Sequence, residues 1–347
     1  MRIVALCLAL LPLCAAEPDA DGVARYLAGM PDGGFEETEA WRAHRAAFDA
    51  SWKRLAPRLA QMRSFQAQEL RSPGVTKVFY PFAGPDALTA TVLFPEAQSY
   101  VLIGLEPAGW LPDPAAWEEP SETLRALRGS LNNLLNESFF HTKVMNQTYR
   151  GQVTDGLAPA IAIFLVRLDN RIEALRRVRL TPSGEVAERR PGERPAGRSG
   201  VEFRFRTPRG AVKTLRYFSA NLANFHWNDN KDLQAFVAAQ GKVATLLKAA
   251  SYLLHRAEFS GVRSAILRQS LLIIQDDSGI PYAQFDPEAW ALQLYGAYSP
   301  PGGVFKNRAQ PDLEKAYQEA GASKPLPFRF GYGANRGKSN LIVARRR

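Results

Sequence analysis

Residues 76–105 read TKVFYPFAGPDALTATVLFPEAQSYVLIGL. Residues 76–82 are a short apolar run rich in β-formers, and 83–86 (AGPD) carry turn chemistry. Residues 87–94 suit a short helix, and 100–105 are a second strand of the buried type, ending at Glu106-Pro107. Strand, turn, helix and strand in about thirty residues predict a βαβ unit with parallel pairing.

Working outward, the same alternation continues. Residues 121–136 form a helix with a cap signal at Ser121-Glu122 and an apolar face of Leu124, Leu127, Leu131, Leu134 and Leu135. Residues 160–168 (AIAIFLVRL) read as a third buried strand, and 271–274 (LLII) as a fourth. Residues 233–255 read as a long helix, followed by a shorter one over 262–269. Late strands are expected at 290–295 and 341–344, with a helical piece at 312–319 between them. The middle differs: Val201, Phe203 and Phe205 alternate with Glu202, Arg204 and Arg206, a half-buried strand. Residues 212–218 return beside it, and 174–180 supply another strand. Residues 188–199 (ERRPGERPAGRS) are predicted to be an exposed basic loop.

Towards the N-terminus, Trp41, Phe48, Trp52, Leu55, Leu59 and Met62 form one stripe of a helix over 38–70, which Pro57 should break or kink. Residues 17–37 read as a loose lead-in. Residues 1–16 (MRIVALCLALLPLCAA) have a short basic start, an uncharged apolar run and a small-x-small end, the pattern of a cleavable secretory signal. The apolar run is shorter than the roughly twenty residues that cross a bilayer. Lipid attachment at Cys14 requires a small residue before it, and Leu13 is not small. The expected organisation is a signal over 1–16, a helical extension over 17–70 and a single α/β domain over 71–347. The expected compartment is outside the cytoplasm, periplasmic or secreted.

Both cysteines, Cys7 and Cys14, lie inside the signal, so disulfides, zinc thiolates and cysteine nucleophiles are excluded from the mature chain. The formal net charge is +10. Much of the excess sits at Arg189, Arg190, Arg194 and Arg198 and at Arg345 to Arg347. No aromatics interleave these arginines as in a single-strand nucleic-acid groove, so they read as a basic loop and tail. No later stretch reads as transmembrane. The four histidines lack metal-ligand spacing, and neither a nucleophile elbow nor a P-loop is present.

In an open parallel sheet, ligands bind beyond the carboxyl ends of the strands. The first strand end offers Gly84 and Asp86, the second Glu106, the fourth Asp276, Asp277 and Ser278. Adjacent carboxylates can hold a cation or do acid/base work, and Asp276 and Asp277 are the catalytic candidates of this kind. The competing reading of Asp-Ser-Gly is ordinary turn chemistry. His226, in a polar loop just before the 233–255 helix, is the candidate general base. Tyr282 is a further candidate for ligand contact.

Pro81-Phe82-Ala83-Gly84 followed by Pro85-Asp86-Ala87-Leu88 resembles the strand-turn-helix motif of Rossmann-like methyltransferases. Glu106 stands where that family places its acidic ribose ligand. Two positions depart from the pattern. Tyr80 replaces an acidic residue, and Asp86 replaces a second glycine and would repel the carboxylate of S-adenosylmethionine. Over residues 70–345 the chain, through segments such as 102–109 (LIGLEPAG), 275–282 (QDDSGIPY) and 295–301 (YGAYSPP), also resembles an uncharacterised family of exported bacterial proteins. That resemblance implies export and a shared fold and brings no activity.

The expected fold is therefore α/β: a Rossmann-like three-layer arrangement with a mainly parallel sheet, an antiparallel hairpin insertion and an N-terminal helical extension. The expected function is that of an exported ligand-binding or structural protein. Nucleotide cofactors are cytosolic, so no cofactor is assigned, and an unidentified small molecule is the expected partner. The alternatives are a methyltransferase-like enzyme and a carboxylate- or metal-dependent hydrolase built on Asp276, Asp277 and Glu106.

Overall fold

The computed structural model describes residues 19–71, 74–118, 120–137 (backbone only from 130), 156–190, 192–193, 197–319, 321, 323–333 and 337–347. The signal over 1–16, His141 and parts of the 188–199 loop lie outside these residues.

Five strands form the centre of the sheet: β1 (Lys77–Tyr80), β2 (Ser99–Gly104), β6 (Val212–Ser219), β7 (Val243–Leu247) and β8 (Ser270–Gln275). Four of them, all but β6, are largely apolar because both of their faces are covered. The five pair in parallel, and the helix α3 (Ala87–Leu93) crosses from β1 to β2 as expected. Side chains alternate across the sheet. Val78 and Tyr80 enter one core layer, and Phe79 enters the other.

The first layer is covered by α1 (Ala20–Leu27), α2 (Glu39–Glu69), α3 and α5 (Ala158–Arg167). The second is covered by α6 (Asn224–Asp229), α7 (Lys231–Ala239) and α8 (Ser260–Gln269). A further helix, α4 (Pro120–Glu137), precedes α5 in the chain.

Antiparallel strands extend the sheet at both ends. Beyond β6 lie β5 (Ser199–Arg206), β3 (Arg171–Leu180) and β4 (Val186–Glu188). Beyond β8 lies β11 (Asn340–Arg346), antiparallel to β8 and to β9 (Trp290–Gly296), which carries the short β10 (Ser323–Lys324). The order is β10-β9-β11-β8-β7-β1-β2-β6-β5-β3-β4. Five of the described ladders are parallel and five antiparallel, so the sheet is mixed, and the expected parallel majority holds only for its centre.

Four expectations need correction. Residues 160–168 belong to helix α5, not to a strand. Residues 160–166 are apolar on every side and buried, which removes the periodicity that separates the two. Residues 233–255 are not one helix: α7 stops before Gly241, whose φ of +68° ends it, and residues 243–247 become the central strand β7. Residues 17–37 are not a loose lead-in. Asp19 caps α1, and the buried Asp21 accepts the Ile172 N–H at 2.7 Å, which pins α1 to β3. Pro57 does not end α2, which is helical from Glu39 to Glu69. No described helix is long and apolar enough to cross a membrane.

Candidate functional site

The order in which strands are added to the sheet reverses between β1 and β7, because β2 and β6 lie on one side of β1, and β7 and β8 on the other. Such a switch point leaves a crevice at the carboxyl ends of the strands. A cavity of about 270 Å³ occupies it here. It sits near the lower edge of the roughly 300–1,000 Å³ typical of small-molecule sites. Its apolar wall includes Phe82, Ile103, Leu222, Leu253 and Phe259, and its polar groups include Glu106, Asn221, Ser251 and Tyr332.

Gly84 forms the turn after β1 with a φ of +52°. Three non-glycine residues on the cavity wall, Phe82, Ala249 and Ser251, also have positive φ, and Tyr252 follows. Each such residue costs on the order of 1–3 kcal/mol, and strain of this kind concentrates at binding sites. Here it turns the chain sharply after β1 and after β7, at two walls of the cavity.

Asp86 lies at the cavity floor but does not reach out to a ligand. It caps α3, accepting the Thr89 N–H at 3.0 Å, and accepts the Tyr80 hydroxyl at 3.1 Å. Lys248, at the end of β7, forms an ion pair with it and donates to Thr89 Oγ1 at 2.7 Å. Both charged side chains are almost wholly buried. Burial pulls the Lys248 ammonium below its ordinary range, and the Asp86 carboxylate opposes that shift. The same carboxylate and burial push the Tyr80 hydroxyl well up, burial being the larger cause. The anion that a turn-helix junction would attract is thus supplied by the protein itself.

Glu106 behaves differently. Burial raises its carboxyl above the usual range, and the backbone N–H groups of Glu106 and Leu105 offset this in part. Among the described residues, no cation pairs with it. Its Oε2 lies over Gly104, where an added side chain would meet it and the Tyr217 hydroxyl. Of the charged residues on the cavity wall, Asp86 and Lys248 pair with each other, and Glu106 has no cation beside it among the described residues.

The structure brings Gly84, Asp86 and Glu106 together and leaves the other candidates outside the cavity wall. Asp276 is fully buried. Its carboxylate accepts Ser278 Oγ–H at 2.5 Å, Tyr332 N–H at 3.1 Å and Ala249 N–H at 3.3 Å. Burial, then the charge of Asp277, push it up to about 7. Asp277 accepts the Tyr252 hydroxyl at 2.6 Å and Asn340 Nδ2 at 2.9 Å. Ser278 receives the Ala250 N–H at 2.7 Å. These three residues therefore act as a buried clamp that joins the loop after β7, the end of β8 and the segment around Tyr332. No three His, Cys, Asp or Glu side chains among the described residues converge as a metal site requires. Tyr282 packs with Leu294, Leu313 and Ile342, and its N–H binds Gln310 at 2.7 Å. His226 is not in a loop but on α6, exposed, with its ring against Phe225.

Sequence reasoning missed Lys248 and Tyr332, and it read Tyr80 only as a departure from the methyltransferase motif. Lys248 was legible in principle, since it ends the apolar run 243–247 as Glu106 ends β2. Reading that run as helix hid it. Comparison of the chain with protein-family models and with curated proteins finds no match in either.

Proposed function

We propose that the chain is an exported ligand-binding protein on a Rossmann-like scaffold, and that its strand-end cavity takes a small neutral molecule with adjacent hydroxyls and an apolar body. One observation carries this reading: an open cavity whose anion-attracting junction is closed by the Asp86–Lys248 pair, leaving Glu106 as the acceptor facing the ligand. A partly buried carboxylate gains most from donors that a ligand brings, because its lost hydration is otherwise uncompensated. Hydroxyl pairs, as on a ribose, supply two such donors. Phosphates would meet the Glu106 carboxyl and a lysine already paired with Asp86. The apolar side, with Phe82 and Phe259 in edge contact at 5.9 Å between centroids, suits a flat or aliphatic body. The reading of residues 1–16 as a signal supports a ligand met outside the cytoplasm.

A second reading, a methyltransferase-like enzyme, is favoured by the sheet order. Numbered along the chain, the five parallel strands lie as 3-2-1-4-5, the doubly wound order, and a reversed strand, β11, follows them. That arrangement agrees with the methyltransferases that residues 76–107 resemble.

Titration calorimetry of the full chain with adenosine, adenosine monophosphate and S-adenosylmethionine separates the readings. Adenosine is expected to bind, the monophosphate to bind about tenfold or more weakly, and Glu106→Gln to lose adenosine binding. Failure of adenosine to bind at millimolar concentration, or equal binding by Glu106→Gln, rejects the proposed ligand class. Much tighter binding of S-adenosylmethionine than of adenosine moves the assignment to the second reading.

A further inference from the structure

A second cavity, of about 710 Å³, opens between α2 and residues 326–329 and 337–339, and its described wall carries Arg54, Arg58, Arg329 and Lys338 without any carboxylate. Arg54 and Arg58 stand one helical turn apart on α2, so they share a face. Arg329 and Lys338 come from a segment some 270 residues later in the chain. Like charges gathered on fixed elements repel one another and raise the local positive potential. Burial pulls the Arg58 guanidinium down, the Asp86 carboxylate opposes that shift, and Arg329 adds a smaller contribution to it.

The groove is also preformed. Gly296, with a φ of +78°, lets its backbone approach Ser339 so closely that any side chain there would strike the Ser339 carbonyl. Phe328 is held against Phe65 at 5.3 Å between ring centroids. The wall therefore combines apolar surface from Leu55 and Phe328 with two guanidinium groups on one side and two cations on the other. Guanidinium forks match the oxygens of a phosphate, and the apolar part suits an organic body beside it.

We propose that this groove binds a phosphate-bearing organic anion. The site is separate from the Glu106 cavity and carries the opposite charge preference. The phosphate can belong to a free molecule or to a lipid headgroup.

The test uses the full chain at low salt, with inorganic pyrophosphate measured by calorimetry and vesicles of phosphatidylglycerol or phosphatidylcholine measured by co-sedimentation. Saturable binding is expected in at least one anionic arm and not to phosphatidylcholine, and it should weaken with salt. Binding to pyrophosphate alone assigns a free phosphate. Binding to phosphatidylglycerol through the same arginines assigns a headgroup. The pair Arg54→Glu/Arg329→Glu should weaken binding about tenfold or more. The pair Arg189→Glu/Arg190→Glu in the basic loop should leave it unchanged, as should Glu106→Gln. Melting temperatures verify folding, and the milder pair Arg54→Gln/Lys338→Gln replaces the reversal if that variant unfolds. No saturable binding in either arm, or an equal loss in the loop pair, overturns the proposal.

Discussion

Lys248 and Asp86 illustrate how one side chain can close a site that its neighbour would otherwise open. Each is buried, and each is tolerable only because the other is present. Removing one partner of such a pair leaves an uncompensated charge and costs about 3–5 kcal/mol. Lys248→Met is therefore expected to destabilise the chain by about that amount in urea unfolding, while Lys248→Met with Asp86→Asn should recover most of the loss. Equal destabilisation of the single and double variants would show that the pairing is not what holds them. At this scale the sequence was partly legible. Gly84 and Glu106 were recognisable because strand ends follow from apolar runs. Asp86 was recognised as an obstacle to a carboxylate, but its true role depends on Lys248, some 160 residues away in sequence. Asp276 and Asp277 looked like a site because acidic residues end a strand. Their oxygens are instead taken by backbone, hydroxyl and side-chain amide donors that come from three other segments.

Among the elements, α2 is the most informative. Its buried residues Leu55, Leu59, Met62 and Phe65 join the same core layer as β1 and β2. That packing carries the helix through Pro57, which lacks the N–H that would bond one turn back. A proline inside a helix costs about 3 kcal/mol relative to alanine. Pro57→Ala is accordingly expected to stabilise the chain, by up to about that much, as a raised urea midpoint without change of slope. A lower midpoint would mean that the helix is shaped around the proline. The stripe of apolar residues made α2 legible from sequence, and the alternation in residues 201–206 did the same for β5. Residues 160–168 and 243–247 carried no such periodicity, since both are buried all round. Tertiary packing alone decides that one is a helix and the other a strand.

For the whole molecule, buried titratable groups set opposing responses to acid. Burial brings both His44 and His255 down to about 4 from 6.5. Neutral His44 is held by Leu27 O at 2.9 Å and by Arg128 at 3.2 Å. A histidine held neutral in the folded state stabilises fully above 6.5, and that contribution is lost as pH falls from 6.5 towards 4. Asp276 acts in the other direction. Its carboxyl lies near 7 in the folded state against 3.8, so the folded state loses stability as pH rises through that interval. Between pH 7 and 4, Asp276→Asn should therefore lose stability more steeply than the parent chain, and His44→Gln less steeply, in urea unfolding at each pH. Parallel profiles for all three proteins would exclude these groups as the source.

The position of β11 has a consequence for biosynthesis. Among the described strands, β9 reaches the rest of the sheet only through β11, although β9 precedes it by some fifty residues. As the chain emerges vectorially from the ribosome, the parallel centre can assemble once residue 275 is out. Until residues 340–346 follow, β9 is an orphan with open edges, a template for pairing with other chains. A holding chaperone that masks this segment would thus be most needed during a short, late window of synthesis, and a nascent chain arrested near residue 330 should be far more prone to aggregate than one arrested near residue 280.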